Sequence, residues 1–157
     1  MPSKQPNSRM CFICGLQNPV GLHMKLYSDP EHKHVVSTVV IPDQYQSYPG
    51  VVHGGIVATM LDEVSGRALL IDGTDDDLMV TVKLEVKYRA PTPTNTPLKV
   101  IGRVVSVAGN RAKVEGEIVL PDGTVSATAE ALLARPPQAM RDQWIEELPF
   151  WKVYPDA

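Results

Sequence analysis

The chain reads Tyr48-Pro49-Gly50-Val51-Val52-His53-Gly54-Gly55-Ile56 and, three residues later, Met60-Leu61-Asp62-Glu63. A histidine, two adjacent glycines at the start of a helix and an acid further along it are groups that serve hydrolysis at an acyl carbonyl. A carboxylate can attack the carbonyl carbon or deprotonate a water. Unpaired N–H groups at a helix N-terminus, aided by the helix dipole, stabilise the oxyanion. Gly54 and Gly55 have no side chains, so a ligand can approach their backbone closely.

The spacing sets a condition on assembly. Gly54 and Asp62 are eight residues apart, about 12 Å along a helix rising 1.5 Å per residue. Both groups must lie roughly 3 Å from the reacting centre. One unbroken helix cannot achieve this. Two antiparallel helices from two subunits can, the N-terminus of one meeting the middle of the other, and a two-fold dimer then holds two equivalent sites.

Of the two acids, Glu63 has a basic residue, Arg67, at i+4, the favourable order for an ion pair. Asp62 has no basic residue at 58, 59, 65 or 66, and Gly66 leaves space beside it. An acid unpaired on a mostly buried helix needs a reason, which favours Asp62 as nucleophile or general base. His53 can hydrogen-bond the loop or a substrate carbonyl, or it can serve the helix start; the residues leave both open.

The elements that must position these groups can be read around them. A long helix is expected from about Gly54 to Ile71, stopped by Asp72-Gly73. Thr59, Asp62, Glu63, Gly66 and Arg67 form a narrow polar or small stripe on it, and nearly all the rest is apolar, so the helix should be wrapped. The wrapping reads as strand. Leu22 to Tyr27 and His34 to Ile41 precede the helix. Leu78 to Arg89 follows with unbroken alternation, an apolar stripe of Leu78, Val80, Val82, Leu84, Val86 and Tyr88 facing one way, then Leu98 to Val107, Arg111 to Leu120 and Thr124 to Ala134 at hairpin spacing. Residues 1–10 read as a flexible tail, residues 11–135 as one domain, and residues 136–157 as a short helix (Ala139 to Leu148) and an aromatic tail packing on it. The economical arrangement is α+β: a curved antiparallel sheet around one long central helix.

In this element order and in the His-Gly-Gly with an acid nine residues after the histidine, the chain resembles hotdog-fold thioesterases, especially the phenylacetate-pathway (PaaI-like) type, over residues 11–135. The resemblance implies an acyl-CoA thioesterase, with Asp62 of one subunit acting on a carbonyl polarised by Gly54 N–H of the other, and Gly55 and Glu63 close to the substrate. It implies a homodimer, commonly a dimer of dimers. Thr81 lies where this type can carry a serine that orients the attacking water; the polar face of an exposed strand is the somewhat simpler account of it. Some members have an asparagine six residues before the histidine, where Ser47 stands here. Lys87 and Arg89, before Ala90-Pro91, are favoured for the CoA phosphates among Lys83, Arg103, Arg111 and Lys113. A hotdog dehydratase fits less well: its acid would fall at Gly55, and the hydratase motif Asp-x-Asn-Pro-x-His is absent. A non-catalytic acyl-CoA-binding module would keep the pocket without turnover.

Composition narrows the remaining classes. With 157 residues and 43% hydrophobic content, one domain can bury a core without disulfides. The net charge of −3 gives nucleic acid no support as a partner. Neither a targeting segment nor a run of the ~20 apolar residues that span a bilayer is visible, so membrane association is not expected and a cytoplasmic location is. Cys11 and Cys14 fit a reducing compartment. Zinc needs about four ligands, and His23, His32 and His34 stand near the cysteines at no standard spacing, though a second chain could complete a site. The Cys-Phe-Ile-Cys-Gly segment is read as a turn carrying two thiols, itself similar to the N-terminal segment of some hotdog thioesterases. No metal or organic cofactor is required.

Overall fold

The structure, a computed structural model, describes residues 1–156. Among them, seven strands form one antiparallel sheet: β1 Ser3–Lys4, β2 Tyr27–Asp29, β3 His34–Val40, β4 Val80–Tyr88, β5 Pro97–Ala108, β6 Arg111–Val119 and β7 Val125–Ala134. Their order across the sheet is β1-β2-β3-β5-β6-β7-β4. Helix α1, Gly54–Arg67, lies against one face and continues as a 3-10 turn over Ala68–Leu70. This is the expected hotdog architecture. Helix α2, Gln138–Gln143, and a 3-10 turn over Trp144–Glu147 follow the last strand. No helix among the described residues is long and apolar enough to cross a membrane.

The buried side of α1 is a helical stripe: Val57, Met60, Leu61, Val64, Ser65 and Arg67. The apolar members meet inward-facing residues of the long strands, including Val100, Val114, Ile118, Ala129 and Leu133. Ser65 is made compatible with the core by donating its hydroxyl to Leu61 O at 2.7 Å. The opposite side of the helix, where Gly55 is exposed and Ile56, Thr59 and Asp62 are half-buried, is only partly covered within the chain. The wrapping expected from the helix composition is therefore one-sided.

A pair of glycines sets how closely helix and sheet approach. Gly102 on β5 and Gly116 on β6 are direct cross-strand partners. A Cβ on Gly102 would lie 2.4 Å from Val64 O and 2.8 Å from Val64 C, so the backbone of α1 rests on the bare strand. A Cβ on Gly116 would meet the end of the Leu61 side chain at 3.3 Å, a contact that a rotamer change can relieve.

Three expectations differ from the structure. Residues 22–26 are not a strand, although Met24 and Leu26 are buried. His23 takes a positive φ of 51°, which breaks extended geometry, and the segment bonds irregularly to the N-terminal chain (Leu22 N to Phe12 O and Met24 N to Ile13 O, both 2.8 Å). Residues 1–10 are not a loose tail. β1 pairs with β2, and the buried Asn7 donates through Nδ2 to Cys14 O at 2.8 Å and to Met24 O at 3.0 Å. The alternation of β4 is interrupted by a bulge between Thr81 and Lys83.

Gly102→Ala is expected to lower the unfolding free energy by about 2 kcal/mol through overpacking, and Gly116→Ala by less than about 1 kcal/mol. Chemical denaturation of the two variants checks this, and equal losses would refute the backbone contact as the seat of the helix.

Candidate active site

Helix α1 starts at a capped turn. His53 is the N-cap, with its Nδ1 accepting the Gly55 N–H at 2.9 Å. Its backbone N–H is held by Tyr45 O at 2.9 Å, fixing the loop that carries Ser47 and Gly50. Gly50 sits at φ 78°, a left-handed conformation suited to glycine. Tyr88 at the end of β4 donates its hydroxyl to Gly54 O at 2.7 Å. Its ring also approaches Gly54, where a Cβ would meet it at 3.4 to 3.5 Å. Sequence reading missed this tyrosine; its only signal was its place in the inward-facing register of β4. The Gly54 N–H, first in the helix, has no intrahelical acceptor. The Gly55 N–H is engaged by His53, so Gly54 is the helix-start donor left to face a ligand.

Two turns on, Asp62 Oδ1 accepts a hydrogen bond of 2.7 Å from Thr81 Oγ1. The bulge makes this contact possible. Leu84 and Val86 pack on the core and Tyr88 reaches Gly54, so these even-numbered positions face the helix. Uninterrupted alternation would turn Thr81 to the other face. The extra residue between Thr81 and Lys83 reverses the parity, and Thr81 points at Asp62.

Asp62 and Thr81 lie on the wall of a cavity of about 760 Å³. Residues of α1 and of the segment before β4, among them Gly66, Leu78 and Met79, continue that wall, and both ends of the chain complete it: Cys11 and Cys14 on one side, Ile145, Leu148 and Trp151 on another. Trp151 also stacks on Arg67, whose guanidinium carbon is 4.6 Å from the ring centre. The C-terminal segment thus packs on the domain over the cavity rather than trailing from it.

Glu63, the residue after Asp62, lines the same cavity on the side of the N-terminal segment. Its Oε1 accepts from Arg67 Nε at 2.9 Å, the ion pair expected from their spacing. Arg67 is itself buried and donates to Pro6 O at 2.7 Å and Gln5 Oε1 at 3.4 Å. Burial pushes the Glu63 carboxyl up to about 7, against the opposing pull of Arg67. Cys11 and Cys14 stand beside it. The hydrogen bond from the Cys14 thiol holds Cys11 down at about 6, while that same bond, and then burial, push Cys14 up.

The structure therefore brings Asp62, Thr81 and Glu63 to one cavity and places His53, Gly54 and Gly55 at the far end of the same helix. Ser47 is exposed in the loop before it. Lys87 and Arg89 face away from the helix. They line a shallow groove of about 230 Å³ on the opposite face of the sheet, with Arg103 and the acids Glu115 and Glu117. Within one chain they do not converge with Asp62.

The thioesterase superfamily model matches residues 49–127, from the loop before His53 to the start of β7. The chain belongs to the thioesterase superfamily. A thioesterase superfamily protein of known crystal structure is 32% identical, with a TM-score of 0.74 over 80% of this chain and 60% of its own. A phenylacetic acid degradation-related protein of Ralstonia eutropha JMP134 is 26% identical, with a TM-score of 0.64 over 72% of this chain and 85% of its own. Acyl-coenzyme A thioesterase THEM4 of Rattus norvegicus is 25% identical over 130 residues, 83% of this chain and 52% of its own. The chain thus spans about half the length of that curated relative.

The capping role of His53 can be separated from any contact with a ligand. His53→Ala is expected to lose about 1 kcal/mol of stability, and His53→Asn, a good cap, to recover most of it. Denaturation midpoints of the two variants make the comparison; an alanine variant as stable as the parent would remove the capping role.

Proposed function

We propose that this chain is an acyl-CoA thioesterase that cleaves an acyl-CoA to the free acid and CoA at sites shared between two subunits. The observation that carries the reading is Asp62. Its carboxylate is oriented by Thr81 at the wall of a cavity large enough for an acyl group, on the side of α1 that the chain covers only in part. In the proposed reaction Asp62 of one subunit attacks the thioester carbonyl or takes a proton from the water that does. The Gly54 N–H of the other subunit stabilises the oxyanion. The C–S bond then breaks and CoA leaves as the thiolate, which takes up a proton. Where water attacked, the free acid is formed at once; where Asp62 attacked, a water then hydrolyses the acyl–Asp62 anhydride to release the acid and restore the carboxylate. Membership of the thioesterase superfamily and the likeness to an acyl-coenzyme A thioesterase support the substrate class.

A homodimer is supported by the partly open outer side of α1 and by the unpaired edge of β4, where Val82 and Tyr88 are exposed. Further pairing of dimers, Lys87 and Arg89 as contacts for CoA phosphates, and Ser47 as a loop contact belong to the same proposal, since a second subunit would bring new surfaces to each. The free thiols of Cys11 and Cys14 suit a reducing compartment such as the cytoplasm.

Thiol release from aromatic, short- and medium-chain acyl-CoAs tests the reading. Asp62→Asn is expected to lose at least ~100-fold in turnover, about 2.7 kcal/mol of transition-state stabilisation. Thr81→Val should lose roughly tenfold, about 1.4 kcal/mol, while Thr81→Ser keeps most of the activity. Binding of acyl-CoA without thiol release would replace catalysis by a binding role.

The shared site has its own test. Gly54→Pro removes the donor N–H at a helix position that proline favours, and His53 before it already has the extended ψ of 135° that precedes proline readily. Asp62→Asn and Gly54→Pro proteins should each be inactive. Re-assembled together, they should recover about a quarter of the parent activity, because half the dimers are mixed and each mixed dimer rebuilds one site of two. No recovery in demonstrably mixed dimers would place both groups of a site in one chain.

A further inference from the structure

Beside the Asp62 carboxylate, three other ligand-bearing side chains meet at the cavity wall. Cys11 and Cys14 come from the N-terminal turn and Glu63 from the middle of α1. One Sγ of each cysteine and one carboxylate oxygen of Glu63 lie within 4.8 Å of one another. Cys11 is half-buried and Cys14 is buried, and both are free thiols. We propose that Cys11, Cys14 and Glu63 form a binding site for a thiophilic divalent cation, Zn²⁺ foremost, with its fourth coordination position opening onto the cavity.

The spacing suits such an ion. Tetrahedral zinc with Zn–S of about 2.3 Å and Zn–O of about 2.0–2.2 Å places its ligand atoms some 3.5–3.8 Å apart, inside the limit found here. Two thiolates select zinc and similar soft or borderline ions over magnesium and calcium. Three protein ligands and one open position is the arrangement of zinc sites that accept an outside ligand. All three residues line the cavity, so that position has room for a water or a bound molecule.

The turn is built to hold its sulfurs still. Gly15 N donates to Cys11 O at 2.8 Å, and a Cβ on Gly15 would lie 2.4 Å from Cys11 N and O, so the chain closes on itself at that glycine. Asn7 Nδ2 donates to Cys14 O at 2.8 Å. The residues between the cysteines are tied at Phe12 O and Ile13 O by the backbone of Leu22 and Met24. Ser8 Oγ lies 3.3 Å from Cys14 Sγ as an outer hydrogen-bond partner. Ligands fixed by such outer bonds keep their geometry when the ion is absent.

Charge supplies the motive. A carboxylate 17% exposed sits against two thiols, with Arg67 as the cation paired to it. Arg67 already shares its donors with Gln5 and Pro6. Placing several potential anions together away from water is costly unless something positive lies among them. A divalent ion does this and ties the N-terminal turn to the helix residue next to Asp62. The site stands or falls independently of hydrolysis by Asp62.

Cobalt reports directly on thiolate ligation. The full chain, stripped with chelator and reductant, is titrated with Co²⁺ under argon. One Co²⁺ per chain is expected, with the intense thiolate-to-cobalt charge-transfer absorption and the visible bands of a tetrahedral site, displaced by one equivalent of Zn²⁺. The charge-transfer band should vanish in Cys11→Ser/Cys14→Ser, while Glu63→Gln should keep it but bind at least ~10-fold more weakly, as loss of one ligand demands. The parent protein alone can overturn the proposal, whatever the variants' folding: no charge-transfer band, or loss of 2 Da to a Cys11–Cys14 disulfide with no cobalt uptake under reduction, would do so. An unchanged stoichiometry and spectrum in the double serine variant would show an adventitious ion only.

Discussion

The seat of α1 on the bare backbone of β5 at Gly102 is the constraint on which the rest of the site depends. With Val64 O only 2.4 Å from where a Cβ on Gly102 would stand, the helix cannot slide or roll without opening a gap or a clash. Its rotation is thereby set, and with it the directions of every outward residue. Successive residues of an α-helix are turned by about 100°. Asp62 and Glu63 are neighbours in sequence, yet one faces the edge strand β4 and the other faces the chain's N-terminal segment. The two acids acquire different surroundings from a single packing decision.

Much of this could be read from the amino acids, and what could not has physical reasons. The long strands after the helix were legible because alternation sustained over eight or more residues matches the two-residue period of a half-buried strand and no helical period. Asp62 stood out through lacking a basic neighbour on an otherwise apolar helix. Its partner Thr81 was visible only as a hydroxyl in the right strand. The bulge that aims it inserts a residue without leaving any mark in the hydrophobic pattern, since Val82 is apolar like the positions on either side of it in the expected stripe. Tyr88 appeared merely as the last inward residue of that stripe. Its hydrogen bond to Gly54 spans 34 positions, beyond what local periodicity can register.

Glu63 shows how a correct local account can hide a larger one. The i, i+4 pair with Arg67 is present. It accounts for one face of the carboxylate and conceals the two thiols on another. Those thiols reach α1 only because residues 1–10 are drawn into the fold by β1, Asn7 and the buried Arg67. A segment this polar looks like a tail in sequence. It is tied in through backbone carbonyls: Asn7 Nδ2 donates to Cys14 O and Met24 O, the Asn7 N–H donates to Lys152 O, and Arg67 Nη1 donates to Pro6 O. Buried polar side chains used as connectors in this way are specific in three dimensions and featureless in one.

Both chain ends therefore share the work of enclosing the cavity that the sheet leaves open at α1. The N-terminal turn supplies Cys11 and Cys14, and the C-terminal segment supplies Ile145, Leu148 and Trp151. Arg67 joins them, with its charge on Glu63 and Pro6 O and its flat face against Trp151. Arginine suits this position better than lysine, because a planar guanidinium can stack and donate in its plane at once. The geometry leaves Asp62 half-buried beside Thr81 at the cavity wall, while the neighbouring acid is paired with Arg67 on the side of the N-terminal segment. A second subunit laid antiparallel along the outer side of α1 would enclose Asp62 without disturbing Glu63, since the two acids face different neighbours. The outer side of α1 is in this sense the counterpart of its buried one: the contact at Gly102 that seats the helix also decides which acid meets Thr81 and which meets Arg67.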